Sequence, residues 1–345
     1  VPRVAAYFKP GVGLDPVSSV PYDHVRLLRQ AGQTEWVMGT VGSYTAASKF
    51  SVSIPYFLAI AQGKPGFEKA GMSRAEALRV LDRQLSTLLA FHQTHPEYRG
   101  FLPWVEIKDG SLRPTDDKLP SLDNGELTWA LAAMVSGLDG QVDAARVVQK
   151  ARGLLAAQDY RFFLNQQTGL LYGVMTKRGA TWSGSSYQLN DLYEGTMAIL
   201  WGVLHGQIPE SAWDRIPVRK ASYPLQSGQT VETIQGFRAS AHEWWWLGYL
   251  PVMDSNLAPA LRNFFVIHAD HARQQGLPGF FATAYTPQGT YAQMGVPRIA
   301  SQRVDRSDVA VGYATAMGML VNRQAVTPWL AAYLSTPGVA GMFGV

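Results

Sequence analysis

Apolar residues recur every three to four positions along most of this chain, which is the spacing of one face of an α-helix. The clearest case is residues 73–95, where Ser73 and Glu76 also form the S-x-x-E pattern of a capping box. Its apolar face consists of Leu78, Leu81, Leu85, Leu88 and Leu89. Similar faces predict helices at residues 23–31, 43–62, 124–138, 141–157, 191–206, 241–253, 256–275, 308–322 and 326–334.

Two segments depart from this helical pattern. Residues 161–177 alternate around a turn that contains glycine, which predicts a small β-hairpin. Residues 207–235 are polar and rich in proline, which predicts a long loop over one end of the fold.

About ten helices with short connections favour an all-α fold. The economical arrangement is a barrel of paired helices, with an inner ring, an outer ring and loops that form a cleft at one end. A helical solenoid is the alternative, but it should have a fixed sequence period, and no exact repeat is present. Because no shift in composition marks a boundary, we expect residues 1–345 to form one domain.

Composition narrows the class of protein. Hydrophobic residues make up 47% of the 345 residues and charged residues 16%, which argues against long disorder. The formal charge is +4 without a Lys/Arg run, so no nucleic-acid partner is expected. The absence of cysteine excludes disulfides and a cysteine nucleophile. No apolar stretch is long enough for a membrane span. The first residue is Val and not Met, so we expect a processed protein. We also expect a periplasmic or secreted location and a monomeric state.

The first group of candidate acids lies in "SLDNGELTWAL" at residues 121–131. Asp123 is placed to be an N-cap, and Glu126 would then occupy the third helical position, where the helix dipole favours negative charge. Asn124 and Gly125 are poor helix formers, which suggests that the backbone here approaches another element closely. Capping and chemistry both remain possible roles for the two acids.

The second candidate acid is Glu194, in "YQLNDLYEGTMAILWGVLHG". Asp191 is expected to cap this helix, with Glu194 again at the third position. The small and apolar residues that follow, 195–198, would desolvate the Glu194 carboxyl and raise its pKa, as a general acid requires near neutral pH. A plain capping box is the structural alternative.

A third group is "SAHEWWWLGYLPVMD", in which His242 and Glu243 precede three tryptophans. Three successive indoles cannot share one helix face, so at least one should point to a cavity or loop. Sugar rings stack their C–H faces on indoles, so carboxyls beside tryptophan suggest a carbohydrate ligand. No H-x-x-x-H or H-E-x-x-H spacing is present, and no metal or other cofactor is expected.

Several segments, in order, resemble the helical-barrel glucanases of glycoside hydrolase family 144, from about residue 43 to residue 344. They are "TAASKFSVSIPYFLAIAQG", "MSRAEALRVLDRQLSTLLAF", "GFLPWVEIKDG", "LPSLDNGELTWALAAM", "YQLNDLYEGTMAILWGVLHGQIPESAW", "GFRASAHEWWWLGYLPVM", "HADHARQQGLPGFFATAY", "VAVGYATAMGML" and "GVAGMFG". The resemblance implies an (α/α)6 barrel and metal-free, inverting endo-hydrolysis of β-1,2-glucan. It also implies that the important acids of the family correspond to Asp123, Glu126, Glu194 and Glu243.

The chain departs from the family pattern in its C-terminal half. The family usually has a Trp-Gly pair followed by Ser-Glu, whereas this chain has "LPGFFATAY", with Phe280 and Phe281 and no acid. The family tyrosine near the last helix is kept as Tyr313, but the proline before it is Gly312. These changes put the identity of the glucan in question.

The leading hypothesis is therefore an inverting glycoside hydrolase that acts on a bacterial β-glucan or a related exopolysaccharide. Glu194 would protonate the leaving oxygen, and Asp123 or Glu126 would activate water. The candidate substrate-binding residues are Glu243, His242, Trp104, Trp182, Trp244, Trp245, Trp246, Tyr193 and Tyr313.

Two other classes of function remain open. A polysaccharide lyase or epimerase could use the same barrel, with a base and a carboxylate-binding arginine drawn from Tyr187, Tyr193, His242 and Arg238. A non-catalytic glycan-binding protein of a polysaccharide export system is the other possibility. The missing acid near residues 282–284 supports it best.

Overall fold

A computed structural model of the chain describes residues 2–28, 37–192, 195–243, 257–286 and 289–336. These residues fall into two compact units. The first unit contains residues 2–189 and 198–213, and the second contains residues 190–197 and 214–336.

Helices account for much of the described chain. The helices are α1 (Pro2–Tyr7), α2 (Ala47–Ala61), α3 (Arg74–Thr94), α4 (Ser121–Leu138), α5 (Ala145–Ala157), α6 (Thr196–Leu204), α7 (Ser211–Asp214), α8 (Leu257–Gln274), α9 (Gly312–Met317) and α10 (Met319–Ser335). Short 3-10 turns lie at Glu68–Ala70, Pro96–Tyr98, Val142–Ala144, Tyr160–Phe163 and Pro297–Ile299. No helix of the described segments is long and apolar enough to cross a membrane.

The strands are short. They are β1 (Val25–Leu28), β2 (Val37–Val41), β3 (Tyr44–Thr45), β4 (Val105–Lys108), β5 (Ser111–Pro114), β6 (Lys118–Pro120), β7 (Val174–Arg178), β8 (Thr181–Gly184), β9 (Lys220–Pro224), β10 (Thr230–Ile234), β11 (Ala284–Tyr285) and β12 (Tyr291–Ala292). All pairings between them are antiparallel. Two sheets have three strands, β3-β4-β5 and β6-β7-β8, and the other three are two-stranded.

The first unit is built on four helices. Helix α2 packs on α3 and α4, and α5 packs on the same two helices. Phe50 and Phe57 of α2, Leu85 of α3 and Leu131 of α4 are fully buried in this layer. Burying such side chains stabilises the layer by about 1.5–3 kcal/mol each. Helix α3 begins as predicted, because Glu76 accepts a hydrogen bond from the Ser73 amide and Ser73 accepts one from the Glu76 amide.

The small sheet β6-β7-β8 fixes the start of α4. Strand β6 pairs with β7 and runs directly into the helix. The amide of Ser121 donates to the carbonyl of Gly173 at 3.0 Å, and its hydroxyl donates to the carbonyl of Tyr172 at 2.7 Å. The first turn of α4 is therefore attached to the sheet through backbone groups that would otherwise lack partners.

The second unit combines α8–α10 with the hairpins β9–β10 and β11–β12. The hydroxyl of Thr233 on β10 donates to the carbonyl of Ala260 on α8 at 2.8 Å. Phe264, Phe280 and Phe281 form its aromatic core, and each is at most 1% exposed. Phe280 and Phe281, which replace the acid-bearing segment of the resembled family, thus lie in the core.

The prediction of a chain rich in helices is confirmed, but the described residues are not all-α, because they also form five small antiparallel sheets. Two local predictions were wrong. Residues 23–31 contain strand β1, which pairs with β2; such a short apolar repeat fits a paired strand as well as a helix. The hairpin expected within residues 161–177 forms in part, because Leu164 and Leu171 make an isolated antiparallel bridge around the turn at Gly169. A longer hairpin follows, in which β7 pairs with β8. Residues 207–235 contain α7 and the β9–β10 hairpin, because their alternating residues find a pairing partner across the turn at Gly228.

Candidate active site

Helix α4 begins three residues earlier than the acid pattern predicted. Its N-cap is Pro120, which makes no side-chain cap, so Asp123 is the third helical residue and Glu126 the sixth. The prediction of Asp123 as N-cap was wrong, because the amide of the first helical residue already donates to the neighbouring strand segment. Neither carboxyl therefore caps α4, and both can bond to groups outside the backbone of this helix.

The carboxyl of Asp123 contacts a tryptophan. The indole Nε1 of Trp104 donates to Oδ2 of Asp123 at 3.0 Å, and both side chains are partly exposed. Burial raises the pKa of Asp123 above its ordinary value, while the Trp104 hydrogen bond and the positive charge of Lys49 act in the opposite direction. The structure thus brings together two of the predicted site residues, one acid and one aromatic.

Asn124 holds the segment that carries Trp104, a role that the sequence reasoning missed. Its Oδ1 accepts from the Leu102 amide at 2.8 Å, and its Nδ2 donates to the Leu102 carbonyl at 2.9 Å. Nδ2 also donates to the Pro120 carbonyl at 2.7 Å. The only signal for this residue was an amide side chain in a poor position for helix formation, which often indicates a hydrogen bond to backbone.

Glu126 lies deeper than Asp123. It is 3% exposed, and its Oε2 accepts a hydrogen bond from the hydroxyl of Ser51 on α2 at 3.2 Å. A carboxyl in such a place requires polar partners, because burying an unpaired charge is costly. The two acids of α4 therefore differ in environment, with Asp123 the more accessible of the two.

Gly125 allows a close helix contact, as its position between the two acids suggested. A Cβ at residue 125 would lie 2.7 Å from the backbone nitrogen of Ala198 on α6. No side chain fits at that distance, so the residue between Asn124 and Glu126 must be glycine.

The second unit contains a buried carboxyl, that of Asp191. Asp191 is 5% exposed and lies five residues before the first residue of α6, so it is not the cap that was predicted. Its Oδ1 accepts from Nη1 of Arg219 at 3.0 Å, and its Oδ2 accepts from the Ser301 hydroxyl at 3.3 Å. Glu194 and Tyr193, the predicted acid and its neighbour, lie outside the described residues.

Glu243 is buried beneath a backbone loop. It is 2% exposed, and its Oε1 accepts from the Arg238 amide at 2.7 Å. The loop is tight, because Ala239 has a φ of 52° and a Cβ added at Gly236 would lie 2.6 Å from Oε2. Burial raises the pKa of Glu243 to about 8, although backbone hydrogen bonds partly oppose the shift. This predicted substrate-binding residue therefore contacts the backbone of residues 238–240.

Two further residues that were predicted to bind substrate, His242 and Tyr313, also bond to nearby groups. Nδ1 of His242 is 2.7 Å from the hydroxyl of Ser240. The hydroxyl of Tyr313 donates to the carbonyl of Thr283. The consecutive tryptophans Trp244, Trp245 and Trp246 fall outside the described residues.

Trp182 lies in the first unit with aromatic neighbours. Its ring centroid is 5.7 Å from that of Tyr98 and 5.4 Å from that of Phe162, both edge to face. These contacts pack the partly exposed indole against two neighbouring rings.

Arg238, the arginine proposed for a lyase, is engaged by other groups. Nη1 of Arg238 lies 3.6 Å from Oδ1 of Asp305 and donates to the carbonyl of Arg303. Its guanidinium also lies over the ring of Phe237, 5.5 Å from the centroid. An arginine held in this way is poorly placed to bind a uronate carboxylate. Within the described ranges, no three His, Asp or Glu side chains are grouped to hold a metal ion.

The sequence matches the profile of a known enzyme family. Residues 20–345 match the family SGL_GH162, described as endo-beta-1,2-glucanase SGL. The chain belongs to this family and is a glycoside hydrolase, which confirms the resemblance to endo-β-1,2-glucanases. A search of curated protein sequences gives no match.

Several solved structures share the fold of this chain. An endo-beta-1,2-glucanase from Talaromyces funiculosus, in complex with sophorose, is 20% identical, with a TM-score of 0.87 over 99% of this chain and 76% of that chain. A mutant of that enzyme with beta-1,2-glucan has a TM-score of 0.85 at 20% identity, with the same coverage. An endo-beta-1,2-glucanase from Chitinophaga pinensis, with sophorotriose and glucose, is 14% identical, with a TM-score of 0.69 over 99% of this chain and 83% of that chain.

Proposed function

We propose that this chain is an endo-acting hydrolase of β-1,2-glucan that inverts the anomeric centre. The observation on which the proposal chiefly depends is the partly exposed Asp123 carboxyl, held by the Trp104 indole within a chain of the endo-β-1,2-glucanase family. A carboxyl beside a rigid indole combines a group that can accept a proton with a surface on which a sugar ring can stack.

The proposed reaction is a single displacement. Glu194 donates its proton to the glycosidic oxygen as the bond from that oxygen to the anomeric carbon breaks. Asp123 accepts a proton from water, directly or through a sugar hydroxyl, and that water attacks the opposite face of the anomeric carbon. Inverting enzymes hold the two carboxyls about 6.5–9.5 Å apart, which leaves room for the water. A β-linked glucan then releases a product with an α-configured reducing end.

Glu126 has a supporting role in this proposal. Because Glu126 is buried against Ser51, we assign it a structural role, in which it fixes the first turns of α4 and sets the charge near them. We assign the proton transfer to Asp123. The mutual packing of α2, α3, α4 and α5 is the kind of pairing from which an (α/α)6 barrel is built, and we propose that architecture for the complete fold. Monomeric state and a periplasmic or secreted location stay predictions.

A panel of polysaccharides tests the proposed substrate. Linear β-1,2-, β-1,3- and β-1,4-glucans, cyclic β-1,2-glucan and bacterial exopolysaccharides are incubated with the protein, and reducing ends are measured. We expect release from linear β-1,2-glucan, with oligosaccharides as early products, and none after Asp123→Asn. Products that absorb in the ultraviolet would instead identify a lyase. Binding of glucan without new reducing ends would identify a glycan-binding protein.

A further inference from the structure

The segment before Trp104 is a buried loop, residues 100–103. Leu102 is fully buried, and a Cβ added at Gly100 would lie only 2.7 Å from the Cβ of Ala157 at the end of α5. A loop that is buried in this way cannot bond its backbone to water. Its amides and carbonyls therefore need partners within the protein.

Two side-chain amides supply these partners. Asn124 on α4 accepts a hydrogen bond from the Leu102 amide at 2.8 Å and donates one to the Leu102 carbonyl at 2.9 Å. Nε2 of Gln158, directly after α5, donates to the carbonyl of Gly100 at 3.3 Å. Asn124 and Gln158 are themselves buried. The loop is thus attached at one point to α4 and at another to the end of α5.

Two buried hydroxyl groups connect these amides to each other. Oγ1 of Thr128 donates to Oε1 of Gln158 and to the backbone carbonyl of Asn124, each at 2.7 Å. Because the one proton of Thr128 serves these two acceptors, the hydroxyl of Tyr160, 2.8 Å away, is the donor to Thr128. We call the side chains of these four residues the buried polar network. A network whose members all have partners rigidifies the elements that it joins.

Trp104 follows the attached loop after a single residue, Pro103. The ring of Pro103 fixes its φ, so the position of Leu102 is transmitted stiffly to Trp104. On the other side, the carbonyl of Trp104 accepts from both the amide and the hydroxyl of Thr115, each at 3.0 Å. The backbone of Trp104 is therefore held on both sides, and its indole nitrogen donates to Oδ2 of Asp123 at 3.0 Å.

We propose that Asn124 and Gln158 are positioning residues of the hydrolase, which hold the loop so that the indole of Trp104 meets the carboxyl of Asp123. The inference rests on the proposed role of Asp123 as the group that accepts a proton from water. Neither amide touches the reacting atoms, and both act through Trp104. Amides directed at the loop backbone select one loop conformation, which apolar side chains of the same volume could not do.

The resonance of the Trp104 indole N–H tests this geometry without reference to activity. In protein with isotope-labelled tryptophan, the Trp104 resonance is the one that is missing from Trp104→Phe. Its position in Asp123→Ala is that of an indole without the carboxyl partner. We expect the resonance to move toward that position in Asn124→Ala. It should move in the same direction in Gln158→Met, which removes the hydrogen bonds but keeps the volume of the side chain.

Asn165→Ala is the matched control. Asn165 is also buried and accepts from the backbone amide of Gln167 at 2.9 Å, but it does not belong to the buried polar network. Its removal should leave the Trp104 resonance in place. An unchanged Trp104 resonance in folded Asn124→Ala and Gln158→Met would overturn the proposal, because the network would then only stabilise the fold. If Asn124→Ala does not fold, Gln158→Met alone decides.

The pH dependence of kcat/KM on linear β-1,2-glucan tests whether the geometry serves the reaction. Asn124→Ala should move the acidic limb to higher pH, as Trp104→Phe does, because each removes a bond that stabilises the ionised Asp123. A movement of about one pH unit corresponds to a roughly tenfold loss of kcat/KM below the limb. Lys49, whose charge also acts on this carboxyl, and Glu126, further along α4, are unchanged in these variants.

The double variant Asn124→Ala/Trp104→Phe separates positioning from an independent effect. Its acidic limb should stay where Trp104→Phe alone places it, because both changes act through one bond. A further upward movement in the double variant would contradict the proposal. A lower plateau with the wild-type limb in Asn124→Ala would also overturn it, since Asn124 would then have only a structural role.

Failure of the proposed function gives a different result. If the wild-type protein releases no reducing ends from β-1,2-glucan, the proposed substrate is wrong, and the indole resonance alone decides whether the network positions Trp104. If Asp123→Asn keeps both activity and the acidic limb, Asp123 is not the proton acceptor, and the catalytic part of the inference falls with it. Circular dichroism and thermal unfolding of every variant establish that each change belongs to folded protein.

Discussion

The indole nitrogen of Trp104 donates a 3.0 Å hydrogen bond to the carboxylate of Asp123. This contact joins the loop before β4 to the first turn of α4, and the two-way bond between Asn124 and the backbone of Leu102 fixes the loop in place. An acid and an aromatic surface are thereby held in one orientation on a rigid element.

Trp104→Phe should weaken catalysis most strongly at low pH. A hydrogen bond to a charged group contributes about 1.5–3 kcal/mol, and its loss raises the pKa of the carboxyl that it stabilised. Asp123 then becomes neutral at a higher pH, so kcat/KM should fall by about tenfold or more on the acidic side. Trp213→Phe is the matched control. Trp213 is also partly exposed, but it lies on α7 and is not the indole that bonds to Asp123. Equal loss at all pH values would show that only the ring surface matters.

Gly125→Ala should destabilise the first unit. The added methyl group would meet the backbone of Ala198, which cannot rotate away, and overpacking of this kind costs about 1–3 kcal/mol. Gly153→Ala on α5 is the control, since a Cβ there has nothing within 4 Å and should stabilise the helix by about 0.5–1 kcal/mol. Urea unfolding compares the two. A destabilisation by Gly125→Ala no larger than a few tenths of a kcal/mol would mean that the helices are not in this close contact.

Glu243→Gln should alter how stability depends on pH. The folded pKa of Glu243, about 8, exceeds its ordinary value of 4.5, so the unfolded chain loses this proton first as pH rises. The contribution of the neutral carboxyl to the stability of the folded protein is complete below pH 4.5. This contribution is lost progressively as the pH rises to about 8. The variant has no such proton, so its free energy of unfolding should increase relative to wild type between pH 5 and pH 8, by an amount of order 1 kcal/mol or more.

The control for that measurement is Glu76→Gln. Glu76 is an exposed member of a capping box, and the hydrogen bonds from Ser73 lower its pKa. Its ionised form contributes stability above its ordinary pKa, which is lost only as the pH falls through the acidic range. The difference in free energy of unfolding between Glu76→Gln and wild type should therefore be constant from pH 5 to pH 8. A similarly flat difference for Glu243→Gln would refute a neutral buried Glu243.

Glu194→Gln should abolish turnover while glucan binding is kept. Removal of a general acid typically costs about 10²–10⁴-fold in rate, whereas an amide of the same shape still fits the site. Glu210→Gln, at an exposed position before α7, is the control. Turnover within a few-fold of wild type would exclude Glu194 from the mechanism.

The sequence predicted the elements whose signals are local. The periodicity and capping box of residues 73–95 predicted α3, because helix period and cap are both encoded within a few residues. Strand β1 was missed because its pairing with β2 is a contact between segments, which periodicity in a short run does not reveal.

The candidate site was predicted in its residue types but not in its contacts. Asp123 and Trp104 were each chosen separately, and no spacing indicated that they would meet across 19 positions. Asn124 was not recognised, because its partners Leu102 and Pro120 lie outside helix α4. The acidity of Glu243 depends on a loop with a positive φ at Ala239, which has no sequence signal in an alanine.

Proton NMR of a fresh digest of linear β-1,2-glucan tests the central claim most directly. The reducing ends formed in the first minutes, before mutarotation, report which face of the anomeric carbon the water attacked. An inverting hydrolase with a water molecule between its acid and its base gives the α-anomer first. Initial release of the β-anomer, or a glycosyl-enzyme trapped on Asp123, Glu126 or Glu243, would contradict the proposed single displacement.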